Sequence, residues 1–461
     1  MRRIRYNSPL TQVVIMSIVC FLCPGMFNAL NAMGGAGQID RDASNNANTG
    51  LYCTFIVFGV LGGAIVNLLG VRWTIFFSGL TYSLYSASFI YLNHTGNGAF
   101  TIATGPILGI GAGILWSAQG MIMMSYPVES HKGRYIAIFW VIFNLGGVIG
   151  GIVPFVANYH QTDNKTAVPL SDAGYIVFVA LEALGAASAL LLAPPSRVIR
   201  DDSSHVVLIH YTSVRREAME ILRLFRNRWM LLLVPMSVVS NFFYTYQYGP
   251  YNGSLFTVRT RGLNSMLYWA SQMAAAYAIS YLHDYRSLSR RRRGIYSLTL
   301  LTVLANVMWA CTLIIQTKYT HGPLASGEST DYPNGLIDFT ESRRAAGPMI
   351  LYCFMGVVDA LWQSFAYWII GTMTNDSQML ARYAGFYKGV QSLGATVAWQ
   401  LDAQSVPLIA QLIANWVLLD LAIPFMLYVA MNIKDTSEEI ETLSTSEWQT
   451  KYYANIDDIL I

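Results

Sequence analysis

Residues 381–402 read ARYAGFYKGVQSLGATVAWQLD, a run of small, apolar and aromatic side chains long enough for a membrane helix, with one lysine, Lys388, inside it. A bilayer asks for ~20 predominantly apolar residues in succession, and a charge within such a run is costly. Counted from Arg382 at ~1.5 Å per residue, Lys388 sits about 9 Å in from the nearer helix end. Two readings follow: its stem can snorkel to the headgroups, or its ammonium can face a polar cavity. The rest of the chain decides what surrounds it.

Of the 461 residues, 54% are apolar and only 12% are charged, against about 25% charged in soluble domains. Spans recur at Leu10–Met33, Thr49–Leu69, Trp73–Leu92, Ala99–Tyr126, Ile136–Val156 and Ala173–Ala193. A second set follows at Trp229–Gly249, Asn264–Leu282, Ile295–Gln316, Gly347–Met373, Arg382–Leu401 and Leu408–Met431. The expected fold is an all-α polytopic membrane protein with twelve transmembrane helices arranged six plus six. The N-terminal run after Arg2, Arg3 and Arg5 is too long for the apolar core of a signal peptide and lacks a small-residue cleavage site, so it reads as the first helix.

Charge sets the orientation. With the N-terminus in the cytoplasm, inner segments hold 21 of the 29 Lys and Arg residues and outer loops seven, the last being Lys388. This bias predicts an integral membrane protein with both termini cytoplasmic; plasma membrane and endomembrane stay equally open. Asn-x-Ser/Thr acceptors at Asn93, Asn164 and Asn252 fall in predicted outer loops, as a glycoprotein requires, while Asn375 falls inside. The five cysteines all lie within spans, so neither a disulfide frame nor a zinc site is indicated, and Cys20 and Cys23 read as buried thiols.

Four regions follow: a six-helix bundle over 1–193, a cytoplasmic linker over 194–228, a second six-helix bundle over 229–431 and an acidic cytoplasmic tail over 432–461. Pro194-Pro195 stops the sixth helix. The linker ends in SVRREAMEILRLFRNR, which puts Val214, Ala218, Ile221 or Leu222, and Phe225 on one helical face among arginines. Such a helix either lies on an anionic leaflet or is a solvated connector. No phosphate-binding glycine loop, metal-ligand cluster or soluble catalytic domain is present, which argues against an ATP-driven pump or an enzyme. No cofactor, metal or nucleic acid is called for.

The loops after the second and eighth helices repeat a pattern. GGAIVNLLGVRW carries Asn67, Gly70 and Arg72; YLHDYRSLSRRRRG carries Asp284 and Arg286. This resembles the helix 2–3 signature of the major facilitator superfamily, with Asn67 where that pattern has aspartate. A neutral amide can cap a helix but cannot form a charge-assisted pair, so the resemblance implies a charged gate at Asp284 with Arg286, while a positive-inside cluster alone would equally explain the arginines.

GMFNALNAMGGAG (25–37), GLTYSLYSASF (79–89), GILWSAQGMIMMSYP (113–127) and KGRYIAIFWVIFNLGGVIGG (132–151), joined by YGPYNGSLFTVRTRGLNSMLYW and YKGVQSLGATVAWQLD, resemble the fungal branch of the Unc-93-like family. The resemblance implies a pseudo-symmetric major-facilitator architecture. Helices 1, 4, 7 and 10 would then line a central cavity, flanked by 2, 5, 8 and 11, with 3, 6, 9 and 12 outside. Some members of that family act as regulators or trafficking partners of other membrane proteins.

Within that frame Asp359 and Lys388 are the expected substrate-binding or coupling charges, while Glu182 and Asp420 fall on outside helices. An unpaired mid-bilayer carboxylate tends to take up a proton, so Asp359 reads as a proton-coupling carboxyl or as half of a charge pair. Around it the inward helices bring Asn28 and Asn31, Trp116 and Gln119, and Asn241, Tyr244 and Gln247. Trp362, Gln363 and Gln391 complete the set. Amides for orientation and rings for contact area suit a small polar or amphipathic solute. Steps of four between Gly105, Gly109 and Gly113, and between Gly146 and Gly150 or Gly147 and Gly151, predict close helix packing. Pro24, Pro106 and Pro154 are expected to kink or end their helices. Two functions stay open: a secondary transporter, with or without proton coupling, and a non-transporting partner of a membrane protein.

Overall fold

The computed structural model describes residues 5–32, 42–128, 131–157, 159, 172–200, 219–220, 222–253, 255–317, 336–404 and 406–434. Among them run twelve long helices. The first, α1, covers Pro9–Cys20, passes through a π-helical turn at Phe21–Gly25 and resumes over Met26–Ala32. Then come α2 (Asp42–Leu69), α3 (Val71–Thr95), α4 (Ala99–Ser125), α5 (Lys132–Ala157) and α6 (Asp172–Ser188, with a 3-10 turn at Ala189–Leu191). The second six are α7 (Arg228–Gly253), α8 (Val258–His283), α9 (Arg290–Gln316), α10 (Ser342–Gly371), α11 (Ser377–Ala403) and α12 (Leu408–Met431).

Polar residues set the starts. Ser8 accepts from the Thr11 amide, Asn227 from Trp229 and Met230, and Ser289 from Arg292, each satisfying donors that a helix leaves unpaired at its N-terminus. Pro24 forces the π-helical turn of α1, and Pro250 lies in a second one, Gln247–Gly253, that closes α7. Pro106 and Pro154 do not end their helices: α4 and α5 run on past them. Each has a neighbouring helix close by to hold the chain on course, α2 beside α4 and α8 beside α5.

Ten of the helices are long and apolar enough to cross a bilayer on length and composition alone. The other two, α8 and α11, are as long, 26 and 27 residues, but more polar. Their polar side chains Asn264, Gln272, Arg382, Gln391 and Ser392 are all buried, because α8 packs on α5 and α11 on α2, the helices of the opposite half. Those faces meet protein rather than acyl chains, where polar groups are tolerated.

Glycine makes the contact between the halves close. A Cβ on Gly59 of α2 would stand 2.8 Å from the Gly389 nitrogen of α11, and one on Gly389 would stand 2.8 Å from the Ile56 carbonyl. The expected glycine steps also meet partners: Gly146 faces Gly25 of α1, and Gly151 faces Met266 of α8. Overpacking such a contact costs about 1–3 kcal/mol or more. Gly389→Leu should therefore lower the yield of monodisperse protein on size-exclusion chromatography, whereas Val397→Leu, on an exposed part of the same helix, should not.

Several expectations need adjustment. Asn252 is buried, donates to the Arg261 carbonyl at 3.3 Å and accepts from Asn264 at 2.9 Å, so the folded chain has no room for a glycan there. Asn93 is exposed at the end of α3, and Asn164 lies outside the described residues. We expect Asn252→Gln to leave the endoglycosidase-induced gel shift unchanged. In the linker, 201–218 and 221 lie outside the described residues; Phe225 meets Phe386 of α11 and Leu224 is buried, while Leu222 is exposed. The tail beyond 434 also lies outside them. Asp420 is exposed and bound to Asn306 of α9 at 3.0 Å, with Trp416 donating to the same asparagine.

Candidate functional site

A cavity of about 120 Å³ lies between the two halves. From the first half, α1 contributes Asn28, α2 Tyr52 and α4 Trp116; from the second, α7 contributes Asn241 and Tyr244, α10 Gln363, and α11 Lys388 and Gln391. The helices expected to flank the cavity line it as well, through Phe143 of α5 and Trp269 of α8. Lys388 therefore does not reach for headgroups. It is 5% exposed, donates to Gln391 Oε1 at 2.7 Å, and sits 4.4, 5.4 and 5.2 Å from the ring centroids of Trp116, Tyr367 and Tyr387. Three π faces stabilise the ammonium in a desolvated place.

Asp359 occupies a different position. It is 1% exposed and is not part of the cavity wall. Tyr244 donates to its Oδ1 at 3.1 Å, and Gln272 Nε2 to its Oδ2 at 2.7 Å. Tyr268 Oη lies 2.9 Å from Oδ2 and 2.8 Å from Gln247 Oε1; its single proton serves one of them at a time. No ion pair joins Asp359 to Lys388. Tyr244 lines the cavity while its hydroxyl holds the carboxylate.

The remaining amides divide by position. Asn28 and Asn241 line the cavity and make no side-chain hydrogen bond among the described residues. Gln363 is held by Ser240, Tyr387 and Gln391. Gln119 sits behind the wall, accepting from Tyr367 at 2.9 Å, and Asn31 bonds Asn48 of α2 at 3.1 Å. Gln247 likewise lies behind the wall, and Trp362 donates to Ser240 at 3.0 Å. Glu182 is fully buried within the first half, away from the cavity, with Cys23 donating to its backbone carbonyl at 3.3 Å.

Three partners were not singled out from sequence: Tyr268 and Gln272 on α8, and Asn144 on α5. Asn144 Nδ2 donates to Gln272 Oε1 at 3.3 Å, so a two-residue bridge runs from the Asp359 carboxylate to the opposite half. The available signal was the four-residue spacing of Tyr268 and Gln272, which puts both on one helical face.

Each end of the bundle carries a contact between halves. Asp284, just past α8, accepts from the backbone amides of Gly133 at 2.9 Å and Arg134 at 2.7 Å, so it caps α5. Burial pushes its carboxyl above the ordinary range, and the Arg134 and Gly133 amides pull it part of the way back. Reciprocally, Lys132 at the start of α5 donates to the Gly371 carbonyl and to Asn375 Oδ1 at the end of α10. An anion at a helix N-terminus and a cation at a C-terminus both suit the macrodipole. The expected pairing of Asp284 with Arg286 is not made; Arg286 lies beside His131, at 3.2 Å, because the carboxylate is taken up by the α5 amides.

The pseudo-equivalent turn in the first half is weaker. Asn67 is buried with its Nδ2 unpartnered, and Arg72 binds the Leu192 carbonyl at 2.9 and 2.7 Å within its own half. Gly70 takes φ +80°, a backbone conformation that favours glycine. At the opposite end Arg259 pairs with Asp338 at 2.8 Å and donates to the Tyr159 carbonyl of the first half at 2.7 Å. Burial raises the Asp338 carboxyl, but hydrogen bonds from Arg259, Thr340 and Thr257 outweigh it and hold it well below the usual range.

Twelve helices in two halves around a central polar cavity define a membrane protein of the major-facilitator architecture. In solved structures the likeness is to a fucose:proton symporter of Escherichia coli, TM-score 0.62 at 13% identity over 93% of this chain and 99% of that one; it shows the fold. The chain belongs to the UNC-93 family: residues 35–426 match the family described as "Ion channel regulatory protein UNC-93". Relatives include UNC93-like protein 1 of Arabidopsis thaliana, 47% identical over 436 residues, 94% of this chain and 93% of that one. A UNC93-like protein of Schizosaccharomyces pombe is 41% identical over 419 residues, 91% and 81% of the respective chains.

Proposed function

We propose that the chain is a secondary transporter that carries a small polar or amphipathic solute by alternating access, its halves 1–193 and 229–431 rocking about the central cavity. The observation that carries this reading is the pair Asn28 and Asn241, one from the first helix of each half, lining the cavity without side-chain hydrogen bonds among the described residues. Unpaired amides at membrane depth are costly without a role. The end contacts through Asp284 with Lys132, and through Arg259, are the gates in this scheme.

In the proposed coupling, Asp359 takes up a proton. A neutral carboxyl is a weaker acceptor for Gln272, and Gln272 is the residue that also meets Asn144 of the opposite half. Protonation at Asp359 would thus loosen one tie across the α5–α8 contact. The excess of Lys and Arg in the alternate loops supports cytoplasmic termini for this carrier. Comparing metabolites of deleted and intact cells, then reconstituting the protein with the accumulated compound, tests the reading; no flux of that compound into proteoliposomes contradicts it.

A second reading has support in the family's description as a channel regulator and in Asn67, which leaves the first-half gate without a charge. There the same fold binds a membrane-protein partner. A co-purifying channel that loses activity when this chain is deleted, with no solute flux, would favour it.

A further inference from the structure

The chemistry of the cavity wall narrows the class of solute. Among the residues that line it, Lys388 is the one with a formal positive charge and none carries a carboxylate. Asp359 has both oxygens occupied by Tyr244, Tyr268 and Gln272 and is not part of the wall. Lys388 has three N–H donors and spends one on Gln391. Its side chain is buried, so water does not quench its field as it would at a surface.

We propose that the cavity takes an organic anion, a carboxylate or phosphate attached to an apolar or aromatic body, with the anionic head on Lys388. This deepens the transport reading only in that it takes the central cavity to be the solute site. Asn28 and Asn241 sit on the two halves, where their free amide groups can orient the head from either side. Trp116, Phe143, Trp269 and Trp399 supply the flat apolar surface for the body. At about 120 Å³ the cavity is smaller than the roughly 300–1,000 Å³ usual for small-molecule sites, so the two halves must part to admit the body. A cationic solute would meet Lys388 head-on with no exposed carboxylate to balance it.

The test is equilibrium binding to the purified full chain by titration calorimetry, using naphthalene-2-carboxylate and its neutral isostere naphthalene-2-carboxamide. A charge-assisted contact in a desolvated site predicts about 10-fold or more tighter binding of the carboxylate. Lys388→Gln should remove that preference and Lys388→Arg should retain it. If Lys388→Gln fails to fold, the wild-type chain still decides: the carboxylate, but not the carboxamide, should suppress acetylation of Lys388 by acetic anhydride. Equal binding of the two probes, no binding of the carboxylate, or a preference that survives Lys388→Gln overturns the inference. Because binding is read without flux, a protein that binds the anion but never transports sinks the carrier reading alone, and a carrier that prefers the amide sinks this one alone.

Discussion

Asp359→Asn should leave the protein folded and abolish the dependence of uptake on a proton gradient. Asparagine keeps the shape of the side chain, its one oxygen can accept from Gln272 and its amide nitrogen can donate to the Tyr244 hydroxyl, so the α7–α10–α8 contact survives in outline. It cannot take up or release a proton. One pH unit across the membrane is worth about 1.4 kcal/mol per proton, so a one-to-one symporter accumulates its solute about 10-fold per unit. In proteoliposomes loaded with the solute from the metabolite comparison, wild type should approach that ratio and the variant should only equilibrate. Accumulation by the variant equal to wild type would take Asp359 out of the mechanism.

The second large effect is expected at the reciprocal caps. Hydrogen bonds to a charged partner contribute about 1.5–3 kcal/mol each, and Asp284 makes two, to Gly133 and Arg134. Asp284→Ala should shift the halves toward opening at that end by about 10-fold or more. Lys132→Gln, which breaks the cap on α10, should shift them the same way, while Arg286→Gln, whose side chain contacts His131 instead, should have little effect. Distances between spin labels placed on 134 and 288 would read the shift; an unchanged distribution in Asp284→Ala would remove the latch.

Much of the architecture was legible in the sequence because lipid imposes a long apolar run on every span, and each of the expected spans overlaps an observed helix. The two most polar spans were legible for the same reason: enough apolar residues remained in 264–282 and 382–401 to register. What the pattern could not give was direction. Lys388 reads alike whether it snorkels or faces a cavity, since both need only a long stem; its three aromatic neighbours come from α4, α10 and α11. Gln119 and Gln247 share helices with true lining residues yet turn behind the wall, a matter of helix rotation that amide counting does not see. Asp284 was singled out, but as the partner of an arginine in its own loop. Its role as a cap on α5 depends on a contact about 150 residues away in sequence, set by the packing of α8 on α5.

The most direct test of a cavity alternately open to either side is the reactivity of Asn241→Cys, in a chain whose five cysteines are replaced by serine or alanine. A membrane-impermeant methanethiosulfonate is applied to oriented vesicles from one side and then from the other. The account predicts modification from both sides, slowed on each by saturating solute. Protection from both, with or without solute, would mean a dry, sealed core and would contradict it.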